Sequence, residues 1–398
     1  MTRMFIAVLF LFCTSAHAQE VPDTWPGILE KARGQTVYFN AWAGDENTNA
    51  FIAWAAGRLK ELYGINLTHV KITLTSEAVA RVVAEKAAGR FAGGSIDLIW
   101  INGENFLSMK EQGLLFGPFT QRLPNFALVD AAGKPTTVID FTVPVDGMES
   151  PWRMAQIVYA YDAARLKDPP RSVAAMLAWA RQNPGRITHP RIRNFLGSTF
   201  LKQALYELVA DPKILLAPAA DADFAGATAP LWRWYDELKP LMWRKGEQFP
   251  ETGPAMRQLL ADGEIDIMIS FNPNEATTAI GKGILPDTVR TFTLEKGTIG
   301  NTSFVAITYN AAHKEGAMAV ADFLLSPESQ AHAMHPDTMG NFTVLDLNRL
   351  APADRRRFED LPRGVATLSA AELGRPLLEP HPSWMNGIVA EWERRYTK

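Results

Sequence analysis

Acidic, amide and aromatic side chains recur in the short polar segments that follow the apolar, β-rich runs of this chain. In an open α/β sheet, ligands bind beyond the carboxyl ends of the strands, where the first N–H groups of the following helix point outward. We therefore expect a ligand site made of the following residues: Trp42, Asp45, Glu46, Asn102, Glu104, Glu149, Trp152, Ser198, Thr199, Phe271, Asn272, Asn274, Glu275 and Asn301.

The chemistry of this set favours a ligand that carries positive charge. An aromatic face attracts a cation by roughly 0.5–2 kcal/mol, and a desolvated carboxylate adds a charge-assisted hydrogen bond. Among these segments only Arg153 is basic. We therefore expect the ligand to be a cationic or amine-bearing small molecule, such as thiamine or a polyamine.

Two other interpretations use the same residues. Asp45 and Glu104 stand where a carboxylate caps a helix, which stabilises the helix without any ligand. Trp42 and Trp152 can equally pack in a core or at a hinge. The other ligand class is an anion, held by Arg153 and the N-terminal amides of helices.

Motifs of enzymes and metal sites give weaker alternatives. The chain has no Gly-x-Ser-x-Gly, no His-Glu-x-x-His and no Walker loop, so an exported hydrolase would need a motif that is not recognised here. His332 and His335 could share a helix face as metal ligands, but solvated histidines at a helix end are the simpler interpretation. We expect no catalytic residue, no metal site and no cofactor.

The elements that must position these side chains alternate between strands and helices. Apolar, extended runs at residues 36–41, 65–74 and 96–101 are separated by stretches with helical spacing, and a glycine follows each helical stretch. This βαβαβα order is typical of a sheet with helices on both faces. A second group of strand and helix patterns begins near residue 157.

The length of the chain also predicts two lobes. Its 398 residues exceed the roughly 250–300 residues at which a single hydrophobic core stops growing. We expect residues 19–148 and 291–339 in a first lobe, 149–290 in a second, and 340–398 in a helical tail whose lobe remains open. The net charge of −3 argues against nucleic-acid binding, which needs a basic surface.

The first 18 residues read as a secretory signal. Arg3 precedes an apolar run at residues 4–13, and the small-x-small triplet that ends in Ala18 matches a cleavage site. The run is shorter than the about 20 residues that a membrane-spanning helix needs, and a buried first helix is the alternative. Cleavage after Ala18 removes Cys13, the only cysteine, so the mature protein would lack disulfides and cysteine ligands. We expect a periplasmic protein.

Several blocks of the chain resemble, in the same order, those of extracellular solute-binding proteins of ABC transporters. The blocks lie at residues 95–100 (SIDLIW) with 111–115 (EQGLL), then 169–172 (PPRS), 263–267 (GEIDI) and 323–330 (FLLSPESQ). Residues 144–152 (PVDGMESPW) are further similar to the branch of that family near the thiamine and iron binders.

The resemblance implies a type II periplasmic-binding-protein clamshell and a role in transport. Two α/β lobes would be joined by strands that cross near residues 144–152, 157–161 and 291–302. The lobes would close by a hinge over a small solute, and the closed form would dock on a membrane ABC permease. We expect a monomer, and a sensing role with the same clamshell is the alternative to uptake.

Overall fold

The computed structural model describes residues 24–397, so the predicted signal segment and Cys13 lie outside the described residues. The strands are β1 (Thr36–Trp42), β2 (Asn66–Ile72), β3 (Leu98–Ile101), β4 (Ile139–Asp140), β5 (Val143–Pro144), β6 (Glu149–Gln156), β7 (Val158–Asp162), β8 (Ile267–Ser270), β9 (Val289–Phe292) and β10 (Gly300–Ile307). The helices are α1 (Trp25–Ala32), α2 (Glu46–Tyr63), α3 (Thr75–Ala87), α4 (Glu104–Glu111), α5 (Val173–Gln182), α6 (Phe195–Leu208), α7 (Phe224–Leu238), α8 (Gly253–Ala261), α9 (Glu275–Gly281), α10 (Lys314–Leu324), α11 (Pro327–Met334), α12 (Pro352–Glu359), α13 (Ala370–Leu373) and α14 (Pro382–Tyr396). None of these helices is long and apolar enough to cross a bilayer.

The first lobe is built on a five-stranded sheet with the order β2-β1-β3-β10-β6. β1 pairs in parallel with β2 and β3, whereas β10 is antiparallel to β3 and β6. Residues of α2 and α10 pack on one face of the sheet, and residues of α3 and α4 pack on the other. Because both faces are covered, the central strands are almost uniformly apolar, as in LIWI of β3.

The second lobe is built on a three-stranded antiparallel sheet with the order β8-β7-β9. Its core joins these strands to the helices between α5 and α9 and to α14. The tail therefore completes this core, because Trp384 and Ile388 of α14 are fully buried in it. By contrast, α12 packs against α11 of the first lobe.

The chain crosses between the lobes later than the sequence predicts. β6 is hydrogen-bonded to β10 from Glu149 to Gln156, so residues 149–156 belong to the sheet of the first lobe. The first crossing is therefore at Ile157 rather than at the expected boundary after residue 148. In the same way β9 holds residues 289–292 in the second sheet, and the return crossing spans residues 293–299 rather than beginning at 291.

A third segment accompanies these two crossings. Residues 373–381, which we call the hinge strap, connect α13 to α14. Leu377 donates its N–H to the carbonyl of Thr298 at 2.9 Å and accepts from the N–H of Gly300 at 2.9 Å. The strap thus lies along the return crossing as an added strand-like segment.

Candidate functional site

A cavity of about 400 Å³ lies between the two lobes, where β1 of the first lobe and β8 of the second both end. The first lobe lines it with the loop after β1 and the first turn of α2, and the second lobe lines it with residues of α8 and α9. The lining residues are Gly44, Asp45, Glu46, Asn47, Pro254, Arg257, Gln258, Glu275, Thr278, Ala279, Lys282 and Ile284.

Asp45 both caps a helix and lines this cavity. Its Oδ2 accepts from the N–H of Thr48 at 2.9 Å and from the Thr48 hydroxyl at 3.0 Å, which fixes the first turn of α2. The helix-capping interpretation of Asp45 is therefore confirmed. The cap also holds the carboxylate in place at the edge of the cavity, beside Glu46.

Glu275 is the corresponding carboxylate of the second lobe. It begins α9, accepts from Nη1 of Arg257 at 2.9 Å, and accepts from the hydroxyl of Ser270. Burial raises the pKa of Glu275, the negative charge of Asp45 raises it further, and Arg257 and Ser270 oppose both effects. Asp45 and Glu275 are thus close enough across the cleft to repel each other.

Tryptophans lie where β1, β3 and β6 approach the cleft. The rings of Trp42 and Trp100 are 6.2 Å apart, and those of Trp100 and Trp152 are 5.3 Å apart. The guanidinium of Arg153 lies 4.2 Å from the ring centre of Trp100 and 4.7 Å from that of Trp152. Trp152 is 1% exposed and contacts Arg153, so its side chain packs inside the protein.

Side chains of the second lobe also hold the segment that follows α11. Nδ2 of Asn272 donates to the carbonyl of Met339 at 2.5 Å, and Nδ2 of Asn274 donates to the carbonyl of Gly340. Phe271 precedes them and packs edge-on against Phe195 at the start of α6. The side-chain N–H groups of the predicted residues Asn272 and Asn274 thus donate to carbonyl groups within the protein.

Three further predicted residues, Asn102, Glu104 and Glu149, belong to a polar group of the first lobe that also includes Asp140. Nδ2 of Asn102 donates to the carbonyl of Thr302 at 2.5 Å, and Asp140 accepts from the N–H of Gly103 at 2.6 Å. Burial raises the pKa of Glu104. Glu149 is fully buried inside β6, and burial, with the charge of Asp140, raises its pKa well above the usual range. The structure therefore places Glu149 in the interior of the first lobe.

Sequence reasoning missed a buried ion pair near this polar group. Lys202 of α6 and Glu379 of the hinge strap have side chains that are 0% and 1% exposed, and their Nζ and Oε2 atoms are 2.6 Å apart. Nδ2 of Asn301 donates to the other oxygen of Glu379 at 3.0 Å. The position of this lysine, directly after the apolar Phe200 and Leu201, is the one signal that could have indicated Lys202, and nothing local indicates Glu379.

Ser198 and Thr199 lie one turn before this lysine, inside the first turns of α6. The Ser198 hydroxyl donates to the carbonyl of Phe195 at 3.0 Å. The Thr199 hydroxyl is buried and has no hydrogen-bond partner among the described residues. Neither residue lines the cavity of Asp45 and Glu275.

The two histidines considered as metal ligands contact other groups of the protein. The ring of His332 stacks on that of Trp54, with centres 3.9 Å apart, and Nδ1 of His335 accepts from the N–H of Asp337 at 3.1 Å. Between residues 24 and 397 no three His, Cys, Asp or Glu side chains are grouped so that they could hold a metal ion.

Residues 54–346 match the family of bacterial extracellular solute-binding proteins, and the chain belongs to this family. It is a periplasmic solute-binding protein of an ABC transporter. Solute-binding proteins of this kind bind small ligands and dock on ABC permeases, and the family consists of transporter components rather than enzymes. Over 392 residues the chain is 39% identical to protein YnjB of Escherichia coli (strain K12), which covers 98% of this chain and 97% of that protein.

Solved structures with the same architecture come from proteins with different ligands. AfuA of Actinobacillus pleuropneumoniae, solved with fructose-6-phosphate bound, matches with a TM-score of 0.63 and 14% identity over 90% of this chain and 98% of its own. PotD of Streptococcus pneumoniae, a spermidine/putrescine transporter substrate-binding protein, matches with a TM-score of 0.61 and 13% identity over 91% and 98%. These matches confirm the predicted type II clamshell, and at such identities they show the fold alone.

The buried pair at the hinge leads to a stability prediction. Replacing Lys202 with Met leaves the carboxylate of Glu379 buried without its counter-charge, so we expect the free energy of unfolding to fall by about 3–5 kcal/mol. Urea denaturation followed by tryptophan fluorescence measures this change. The double variant Lys202→Met/Glu379→Gln should recover part of the loss, because no unpaired charge remains. A single variant as stable as the wild type would contradict the prediction.

Proposed function

We propose that this protein captures a small organic cation between its lobes and delivers it to an ABC permease. The observation that carries the proposal is that two carboxylates, Asp45 and Glu275, line one cavity from opposite lobes. Two like charges brought together in a partly desolvated cleft destabilise the closed arrangement. A cation between them would remove this repulsion.

Such a ligand would also drive closure. A ligand shifts a conformational equilibrium only by its difference in affinity for the two states. A cation held by Asp45 alone would bind the open form, whereas contact with both carboxylates requires the lobes to come together. Lys282 of the second lobe already donates to the side-chain oxygen of Asn47 in the first, so the two cavity walls are within contact distance.

The chemical class that fits is an amine or a comparable organic cation, with thiamine or a polyamine as examples. The cavity of about 400 Å³ lies within the range of roughly 300–1,000 Å³ that small-molecule sites occupy. The three acids Asp45, Glu46 and Glu275 outnumber the two basic residues that line the cavity, Arg257 and Lys282, so a negative charge is left for the ligand. PotD, with its spermidine/putrescine name, shares the fold and makes polyamines reasonable first probes.

The proposal predicts that loss of the charge on Glu275 weakens cation binding. We expect Glu275→Gln to reduce the affinity for the cation by about 10- to 100-fold, which is the contribution of a hydrogen bond to a charged group. Isothermal titration calorimetry with spermidine, putrescine and thiamine measures the change. Glu237→Gln, which makes the same change at an exposed glutamate of α7 that is also paired with an arginine but lies outside the cavity, is the matched control. Binding of matched anions alone, with no effect of Glu275→Gln, would exclude a cationic ligand.

The same carboxylate predicts a pH dependence. Because burial and Asp45 raise the pKa of Glu275, this group takes up a proton at a higher pH than an ordinary glutamate. A cation binds the ionised form, so its affinity should fall as the pH is lowered from 7 through the raised pKa. Calorimetry at a series of pH values should show this fall in the wild type and a flatter profile in Glu275→Gln. Identical profiles for the two proteins would contradict the assignment.

Hinge closure itself can be measured in solution. We expect the radius of gyration from small-angle X-ray scattering to decrease when a bound cation saturates the wild-type protein. The change should come from rotation about Ile157, residues 293–299 and the hinge strap, because the two sheets share no strand pairing. A radius of gyration that stays the same at saturation would count against closure by the ligand.

A further inference from the structure

Arg153 is a half-buried arginine whose contacts are all neutral. Its Nε donates to the hydroxyl of Ser303 at 3.3 Å, and its Nη1 donates to the side-chain oxygen of Asn341 at 3.2 Å and contacts the sulfur of Met339 at 3.6 Å. No ion pair within residues 24–397 includes it. Arg257, on the opposite wall of the cleft, shows the contrast, because it is paired with Glu275.

The guanidinium of Arg153 is nevertheless held firmly. It lies between Trp100 and Trp152, whose ring planes meet at 87°, and it contacts both rings. Its Nη2 atom has no acceptor among the described residues and is not enclosed by them. A guanidinium fixed in this way offers a free N–H edge to an incoming acceptor with little further loss of conformational freedom.

Two further observations favour an acceptor for these side chains from outside the protein. Burial lowers the pKa of Arg153 to about 10, with Asp45 acting in the opposite direction, so the side chain keeps its charge at neutral pH without a bound counter-ion. The indole Nε1 of Trp152, whose ring it contacts, is also buried without an acceptor. A buried donor without an acceptor, such as this indole N–H, is costly inside a protein.

Arg153 is also close to the cavity. Asp45, which lines the cavity, is the charged neighbour that affects Arg153. Met339, which Arg153 contacts, accepts a hydrogen bond from Asn272 of the second lobe. An acceptor on the free edge of Arg153 would thus lie near a contact between the two lobes and within reach of the charge of Asp45.

We propose that Arg153 forms an anion subsite beside the carboxylates of Asp45 and Glu275, so that the preferred ligand is a small zwitterion, an amine that also carries a carboxylate or phosphate group. The anionic group would bind the free edge of the guanidinium, and the amine would bind between the two carboxylates. The amine part of this inference rests on the proposed function, whereas the anion subsite rests on Arg153.

The test uses pairs of probes that differ only in the anionic group. Ornithine and arginine each add a carboxylate to putrescine and agmatine, and thiamine monophosphate adds a phosphate to thiamine. By titration calorimetry we expect the anionic member of at least one pair to bind the wild type at least about tenfold more tightly. The pair that shows the difference identifies carboxylate or phosphate as the group. Arg153→Gln should remove the difference between the members of the pair. The affinity for the plain cation should not fall, because the variant removes a positive charge that acts on Asp45. The matched control is Arg171→Gln, because Arg171 also lies over an aromatic ring, that of Phe292, but outside the cavity.

The outcomes separate the two proposals. Equal affinity for both members of every pair overturns the anion subsite and leaves the cation site intact. Binding of anions without amines, abolished by Arg153→Gln, supports the subsite and contradicts the proposed cation. If no probe binds, the melting temperature is measured with inorganic phosphate and with chloride at the same ionic strength. Phosphate must then raise the melting temperature of the wild type and must not raise that of Arg153→Gln. Absence of that difference also overturns the inference.

A second variant guards against loss of folding. Arg153→Lys keeps the positive charge but loses the planar pair of donors, so we expect it to lower the preference for the anionic probe without abolishing it. A purely structural arginine would behave differently. In that case both variants would lower the melting temperature in the absence of any anion, and the preference among probes would not change.

Discussion

The antiparallel pairing of β6 with β10, within the sheet of the first lobe, places the two crossings between the lobes side by side. The pairing runs from Glu149 to Gln156, directly up to the first crossing. It sets Gly300, the first residue after the return crossing, opposite Gln156. The same ladder sets Arg153 opposite Ser303 and Met154 opposite Thr302 at the edge of the cleft. Both crossings and one wall of the cleft therefore depend on a single set of backbone hydrogen bonds.

The C-terminal tail adds a second constraint at the same place. Leu377 hydrogen-bonds to the return crossing, Gln156 donates to the carbonyl of Leu373, and Glu379 joins Lys202 of the second lobe to Asn301 of the first. A buried charge of this kind is tolerated only when its partners stay in place. The hinge strap therefore contributes to the geometry of the hinge, and α14 anchors it in the core of the second lobe.

The cleft combines charges of both signs that are only partly satisfied within the protein. Glu275 has Arg257, and Asp45 has the N-terminus of α2, but the two acids still face each other. Arg153 has aromatic and neutral partners and a free edge. Elsewhere in the protein, half-buried arginines such as Arg186 are paired with carboxylates. Charges that are incompletely compensated thus lie where the lobes meet, as a site completed by its ligand requires.

The sequence by itself determined the elements, the two-lobed α/β class and the family, because helical and strand periodicity and short motifs are local properties of the chain. β1, predicted at residues 36–41, ends at Trp42, and α4 begins at Glu104 as predicted. Asp45 could also be placed, because capping depends on residues only three apart. Tertiary structure alone decided that Glu149 is buried, that Arg153 lies against two tryptophans, and that Lys202 meets Glu379, 177 residues away. Those contacts depend on strand register and on where the chain crosses between the lobes, and no local pattern specifies either.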